Sequence, residues 1–340
     1  MKRCLQLAAN GLQAAMPNPS VGAVIVHNDK IIGEGYTSAY GGNHAEVNAV
    51  HSVKDKSLLK EATIYVSLEP CSHFGKTPPC SDLIIAHQIP KVVIGTIDPF
   101  AKVAGRGIER LKNAGCEVVL DVLKDECIAS NKRFFTFHQH KRPYIILKWA
   151  QTQDGFIDKI RQENDPVQPN WITNRYSRQL VHKWRSEEAS ILVGTNTAVT
   201  DNPKLNTRDW YGKSPIRLVL DKSLRIPADY SLFDQSIKTI VCTEQEKAST
   251  ENLIFETIDF SENIAQQVCE ILYTHNLQSV IIEGGKQTLQ TFIDANLWDE
   301  ARVFMGNISF QKGIEAPIFT GKNQSEETIL DNSLHIYHND

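Results

Sequence analysis

The chain has 340 residues, 41% of them apolar and 22% charged, with a net charge of −4 and a pI of about 6.3. That describes a globular protein long enough for more than one core, and it disfavours disorder or a general affinity for nucleic acid or anionic membrane. Seven scattered cysteines do not resemble a secreted disulfide framework, and no run of 18 apolar residues occurs, so a reducing cytoplasm is the expected location. The N-terminal MKRCLQLAANGLQAA is a poor signal peptide, because Gln6, Asn10 and Gln13 interrupt it. It reads as an amphipathic helix with Leu5, Ala8, Ala9 and Leu12 on one face. Residues 21–26 (VGAVIV) read as a buried strand, the turn His27-Asn28-Asp29-Lys30 follows, and 31–36 is the hairpin partner. A helix over 45–51, a strand over 63–68, a helix over 81–87 and a strand over 92–95 come next. A helix over 108–114, ended by Gly115, and a strand over 117–120 complete a three-layer α/β pattern. A charged stretch over 124–142 and then Pro143 mark the expected boundary between domains 1–143 and 144–340. Beyond it, strands are expected over 144–150, 191–194, 216–220, 239–242, 280–283 and 301–305. Helices are expected over 177–187, 264–275 and 287–295, which makes a second α/β domain.

Two short motifs in the first domain carry chemistry. HAEVNAV begins at His44, and EPCSHFGKTPPC runs from Glu69 to Cys80. A catalytic zinc site needs about three protein ligands and one open position for water. His44 and Glu46, two residues apart at a helix start, give one ligand and one unbound carboxylate over the same metal. Cys71 and Cys80 supply thiolates, and Cys80 directly precedes a helix whose N-terminus favours negative charge. This is the pattern of zinc-dependent base deaminases, H-x-E followed by P-C-x-x-C, with the Glu as acid and base. Eight residues separate Cys71 from Cys80 where that pattern has two, and His73 inside the insert is a rival ligand. The insert also holds Lys76 and Thr77 around Gly75, polar and cationic groups suited to a phosphate. In the second domain, Gly284-Gly285 lies between a strand and a helix and fits a phosphate cradle, although such a pair is more often a plain turn. It is not GxGxxG, so a Rossmann reading fails.

With these residues in view, the sequence resembles the bifunctional deaminase/reductases of riboflavin biosynthesis. The matching stretches span nearly the whole chain: PNPSVGAVIV from Pro17, GEGY from Gly33, HAEVNAV, EPCSHFGKTPPC, DPFAKVAGRG from Asp98, RPYIILKWAQTQDG from Arg142, WIT from Trp171 and IIEGG from Ile281. The resemblance implies a cytidine-deaminase-like α/β/α domain followed by a dihydrofolate-reductase-like α/β domain using NADPH. It implies hydrolysis of the 2-amino group of a 2,5-diamino-6-(phosphoribosylamino)pyrimidinone 5'-phosphate. Reduction of the ribosyl group of the resulting aminouracil to ribityl would follow. It implies one zinc per chain on His44, Cys71 and Cys80, Glu46 as the proton shuttle, and a homo-oligomer. Asn18 would hold the base edge or ribose, His73 and Lys76 the 5'-phosphate, and Asp98 the ribose hydroxyls. Where the family is expected to read DPN, this chain has Asp98-Pro99-Phe100.

For the second domain the resemblance implies a cofactor site of Ala150, Trp171, Thr197 and Asp201, with Gly285, Lys286, Gln287, Thr288 and Leu289 around the pyrophosphate. Arg185, Leu205, Arg208 and Glu283 would hold the phosphorylated substrate, since guanidinium grips phosphate in a bidentate manner. Lys148 and Asp154 sit near the expected ribose position, where Lys148 would orient the sugar unless it is a solvated strand-end lysine. Asp221-Lys222-Ser223-Leu224-Arg225 could read the cofactor's 2'-phosphate or be a solvated turn, and Trp171 could be a core aromatic. Two other functions compete. One is a nucleoside or tRNA deaminase fused to an unrelated domain, against which the long insert argues. The other is a second domain that binds without catalysing.

Overall fold

A computed structural model describes residues 1–74, 78–100, 104–162 and 165–339. The chain divides into two compact units, residues 1–141 and 142–340. The first opens with α1 (Lys2–Ala9) and α2 (Leu12–Ala15). The single expected helix is broken at Asn10-Gly11, and its buried face is Cys4, Leu7 and Ala8, with Ala9 and Leu12 exposed. Gly11 explains the break, because a Cβ there would stand 2.6 Å from Ser20 Oγ and 2.8 Å from Thr37 O.

The hairpin of β1 (Gly22–His27) and β2 (Lys30–Tyr36) forms as expected, and Asn28 and Asp29 both take positive φ, 46° and 58°, as a two-residue hairpin turn requires. Then follow α3 (Ala45–Ser52), β3 (Thr63–Val66), α4 (Cys80–Ala86), β4 (Lys91–Ile94), α5 (Arg106–Asn113) and β5 (Glu117–Val119). The sheet order is β2-β1-β3-β4-β5, antiparallel around β1 and parallel from β3 to β5. Strand alternation splits β1 between two cores: Ala23 and Ile25 face one side, and Val24 packs with Cys4 and Leu7 on the other. The charged stretch expected as a boundary is instead two helices, α6 (Lys124–Ser130) and α7 (Lys132–His140). Cys127, Phe134, Phe135 and Phe137 are buried, an apolar stripe that the surrounding charges hide in the sequence.

The second unit contains β6 (Tyr144–Thr152), β7 (Phe156–Asp158), α8 (Arg175–Glu187), β8 (Ser190–Gly194), α9 (Thr195–Asp201), β9 (Ile216–Leu220), β10 (Thr239–Thr243) and β11 (Leu253–Thr257). It continues with α10 (Ile264–Thr274), β12 (Ser279–Ile282), α11 (Lys286–Asp294), β13 (Glu300–Gly306), β14 (Ile314–Glu315), β15 (Lys322–Ile329) and β16 (Asn332–His338). Nine strands form one sheet in the order β11-β10-β9-β8-β12-β6-β13-β16-β15, parallel except where β16 joins β13 and β15. Apolar cores cover both faces of its parallel part: Ile145, Leu147 and Trp149 of β6 enter one, Tyr144 and Ile146 the other. The sequence patterns leave β7, α9, β11 and β14–β16 unassigned. The reason is plain in β15, whose KNQSEETI is exposed along all but its last residue and offers no alternation to read. Among the described residues, no helix is long and apolar enough to cross a membrane.

Candidate active sites

In the first unit, the sheet brings the two motifs together. His44 caps α3 and Glu46 lies in its first turn, while Cys80 is the first residue of α4. His44 Nδ1 lies 3.3 Å from Cys80 Sγ and 3.6 Å from Cys71 Sγ, and the Cys80 backbone N–H points at the Cys71 sulfur at 3.3 Å. The three ligand atoms lie within 4.8 Å of one another, and no other group of three or more such side chains occurs among the described residues. One imidazole nitrogen and two sulfurs suit zinc, a borderline-soft ion, and three ligands leave a position open. The Cys71 thiol is pushed down to about 4 by hydrogen bonds from Cys80 and His44, and the hydrogen bond to Cys71 holds His44 up at about 9. The neighbouring Cys80 thiol is pushed the other way, up, by its hydrogen bond to Cys71 and by burial, so Cys71 takes the negative charge of the pair first. Glu46 stands outside the ligand set, 4% exposed, and burial together with the Cys71 charge raises its carboxyl to about 6. A carboxyl in that range can both take and return a proton near neutral pH.

His73 lies outside the cluster that His44, Cys71 and Cys80 form. The His73 ring is exposed and meets Phe100 edge-on at 6.4 Å, and Phe100 packs at 5.0 Å against His138 of α7. Lys76 lies outside the described residues. Asn18 is half-buried in the turn before β1, its N–H bonded to Ala15 O at 2.9 Å. Asp98 is buried; its Oδ1 accepts the Phe100 N–H at 2.7 Å, and burial, with the Glu69 and Cys71 charges, pushes its carboxyl up to about 7. Two polar anchors escaped the sequence reading. Asn131 pairs its side-chain amide with both backbone groups of Ser20 at 2.9 Å, beside Asn18. Glu69 is buried and accepts four backbone N–H groups, from Asp98, Gly105, Gly107 and Ile108. A signal for Glu69 did exist: a carboxylate between Leu68 and Pro70 at the end of a buried strand must find donors.

In the second unit, a cavity of about 1170 Å³ opens at the carboxyl ends of β8 and β12, where ligands of open parallel sheets bind. Lining it are Lys148 and Ala150 of β6, Trp171, Arg185 of α8, Thr197 and Asp201 of α9, Leu205, Arg208, Glu283, and the run Gly285, Lys286, Gln287, Thr288 and Leu289. Gly284 has φ +126°, which favours glycine, and a Cβ on Gly285 would meet Thr197 Oγ1 at 3.1 Å. No side chain caps α11, so its first N–H groups remain available to an anion, whereas the Leu289 N–H is spent on Gly285 O. This cradle, which side chains would fill, fits a dinucleotide pyrophosphate.

Arg185 and Glu283 form a bidentate pair at 2.9 and 2.7 Å, with Lys148 Nζ 3.9 Å from Glu283. Burial alone would raise the Glu283 carboxyl, but Arg185 and Lys148 hold it down to about 2. Lys148 is therefore a half-buried, paired lysine and not a solvated strand end; burial and the nearby Arg185 hold its ammonium below the usual lysine range, against the pull of Glu283. Asp201 pairs with Arg161 at 2.8 Å at the cavity wall. Trp171 is 56% exposed beneath the Arg178 guanidinium at 4.5 Å, so it is not a core aromatic. Two expectations are corrected. Asp154 does not line the cavity; its carboxylate accepts Thr152 Oγ1–H, Phe310 N–H and Gln311 N–H and staples a loop. Asp221 is buried and closes its own turn by accepting the Arg225 and Ile226 N–H groups, leaving only Lys222 and Arg225 of that segment at the cavity. His182, which the sequence reading missed, also lines it; Nδ1 accepts the Arg208 N–H at 3.4 Å and Nε2 lies 3.3 Å from Asp209.

Comparison with known proteins covers both units. Residues 143–335 match the family described as RibD C-terminal domain, and residues 1–96 match the cytidine and deoxycytidylate deaminase zinc-binding region. The chain is 38% identical over 314 residues to the riboflavin biosynthesis protein RibD of Aquifex aeolicus, covering 90% of this chain and 85% of that one. It is 39% identical over 291 residues to the protein of the same name from Synechocystis, covering 84% and 77%. Among solved structures, it is similar to the diaminohydroxyphosphoribosylaminopyrimidine deaminase/5-amino-6-(5-phosphoribosylamino)uracil reductase of Thermotoga maritima, with a TM-score of 0.89, 35% identity and coverage of 100% and 97%. Acinetobacter baumannii RibD gives a TM-score of 0.88 at 28% identity with the same coverage.

Proposed function

The chain belongs to the RibD family of riboflavin-biosynthesis proteins, and on that premise we propose how its residues divide the work. It is a bifunctional enzyme, a zinc-binding deaminase joined to a reductase of dihydrofolate-reductase-like fold. We assign the deamination to residues 1–143 and the reduction to residues 144–340. The substrate of the first is 2,5-diamino-6-(5-phosphoribosylamino)pyrimidin-4(3H)-one, which loses its 2-amino group as ammonia. The second reduces the ribosyl group of 5-amino-6-(5-phosphoribosylamino)uracil to ribityl with NADPH.

The observation that carries the first assignment is the cluster of His44, Cys71 and Cys80 with a buried carboxyl beside it that is not a ligand. These residues would hold one zinc per chain, whose Lewis acidity makes a water reactive at neutral pH. Glu46 takes one proton from the attacking water and gives it to the ring nitrogen, then takes the second from the new hydroxyl and gives it to the amine, which leaves as ammonia as the C–N bond breaks. Asn18 holds the base edge or ribose, His73 and Lys76 the 5'-phosphate, and Asp98 the ribose hydroxyls.

In the second unit, reduced nicotinamide supplies the hydride, and the chain supplies position and charge. The free N–H groups at the start of α11 hold the pyrophosphate, with Ala150, Trp171, Thr197 and Asp201 around the rest of the cofactor. Arg185, Leu205 and Arg208 hold the phosphorylated substrate. Glu283 keeps Lys148 charged and oriented toward the ribose. A homo-oligomer in the cytoplasm completes the reading.

Separate half-reactions test it. The diaminopyrimidine substrate alone should release ammonia without NADPH, and the aminouracil supplied directly should oxidise NADPH without ammonia. Turnover of cytidine or adenosine in place of the phosphoribosyl substrate would overturn the first assignment. No oxidation of NADPH by the aminouracil would overturn the second.

A further inference from the structure

The buried carboxylate of Glu69 has no part in the chemistry above, yet it organises what surrounds that chemistry. It follows β3 and stands two residues before Cys71. Its Oε2 accepts the N–H of Asp98 at 3.3 Å and of Gly105 at 2.9 Å, and its Oε1 accepts the N–H of Gly107 at 2.9 Å and of Ile108 at 3.3 Å. The Asp98 contact reaches one end of the 98–108 segment, and the other three reach the far end and the first turn of α5. A second contact interlocks the same parts: a Cβ on Gly107 would lie 2.1 Å from Pro70 O, so the start of α5 packs directly on the residue between Glu69 and Cys71. Four N–H donors on one buried carboxylate satisfy it without a cation, and a negative charge at a helix N-terminus is favoured.

We propose that Glu69 is a positioning residue for the deaminase: it fixes Asp98 relative to the zinc-ligand segment, and so fixes the substrate ribose relative to the reacting ring carbon. The inference rests on the reading of Asp98 as the ribose contact. Asp98 is held at its N–H by Glu69 and at its carboxylate by the Phe100 N–H, which leaves one carboxylate oxygen to face a hydroxyl. Without Glu69, the N–H groups of Asp98, Gly107 and Ile108 would be buried without an acceptor, and Asp98 and the start of α5 would have to shift to find one.

The test is a double-mutant cycle of Glu69→Gln and Asp98→Asn in the full chain, with zinc content, ammonia release and NADPH oxidation all measured. Glu69→Gln is expected to raise KM for the diaminopyrimidine substrate about tenfold or more, the scale of one lost charge-assisted hydrogen bond, with zinc retained. Retained zinc shows that the first unit is folded, and NADPH oxidation on the aminouracil should be unchanged because the second unit is untouched. Because Glu69 acts through Asp98, adding Glu69→Gln to Asp98→Asn should raise KM little further. Additive effects, loss of zinc from Glu69→Gln, or an unchanged KM would each overturn the proposal. If Asp98→Asn alone leaves KM unchanged, the ribose reading of Asp98 fails instead. Should Glu69→Gln fail to accumulate, Gly107→Ala strains the same latch from α5 and is expected to raise the same KM; an unchanged KM there would overturn the proposal.

Discussion

In the proposed deaminase site, Glu46 moves protons while His44, Cys71 and Cys80 hold the metal, although the four side chains crowd together, Glu46 and Cys80 buried and His44 and Cys71 half-buried. Glu46→Gln keeps the size of the side chain and removes the shuttle. Zinc content should hold at one per chain while ammonia release falls by roughly a hundredfold or more. Loss of zinc would mean that Glu46 is a ligand. Cys80→Ser should lower zinc content sharply, and unchanged content would return the third-ligand role to His73. A different residue governs pH dependence in the second unit. Burial and the neighbouring Arg185 and Arg208 push His182 down to about 4 from an ordinary 6.5, and the opposing charges of Asp209 and Glu283 do not cancel that. The folded state therefore binds fewer protons than the unfolded state between these values. The stability His182 contributes is complete above pH 6.5 and is lost as pH falls toward 4. Thermal melts from pH 7 to 4 should show His182→Asn losing less stability over that window than the parent protein. Parallel losses would show that His182 is not the titrating group.

At the scale of elements, both sites use helix starts behind strand ends. In the first unit, α3 and α4 present His44 and Cys80 from their first positions. In the second, α11 follows β12 through Gly284-Gly285 and leaves its first N–H groups uncapped at the cavity. Gly284 is needed for its backbone, since φ +126° strains any residue with a Cβ. Gly284→Ala should raise KM for NADPH by about tenfold, in keeping with a backbone strain of about 1–3 kcal/mol. Ammonia release should be untouched. An unchanged KM would remove the cradle from the cofactor site.

Across the whole molecule, legibility followed the apolar patterning and the motifs. β1, β9 and α11 were readable because strands buried on both faces are mostly apolar runs and helices carry a periodic stripe. That His44, Cys71 and Cys80 come together was readable because a metal site restricts residue types and order. The helices α6 and α7 were not, because charged residues surround Phe134, Phe135 and Phe137 and read as a solvated boundary. The edge strand β15 was not, because an exposed edge needs no alternation. Asp154 and Asp221 looked like ligand contacts and are backbone anchors, a distinction that depends on where N–H groups fall in space. Glu69 and Asn131 escaped notice for the same reason.

The central claim is that one chain runs two reactions in a fixed order. The most direct measurement gives purified protein the diaminopyrimidine phosphoribosyl substrate with and without NADPH, and follows ammonia and the reduced-nicotinamide absorbance together. The account predicts ammonia in both cases and NADPH consumption that begins only after ammonia appears. Ammonia without any NADPH oxidation would contradict the claim, and so would NADPH oxidation that precedes ammonia.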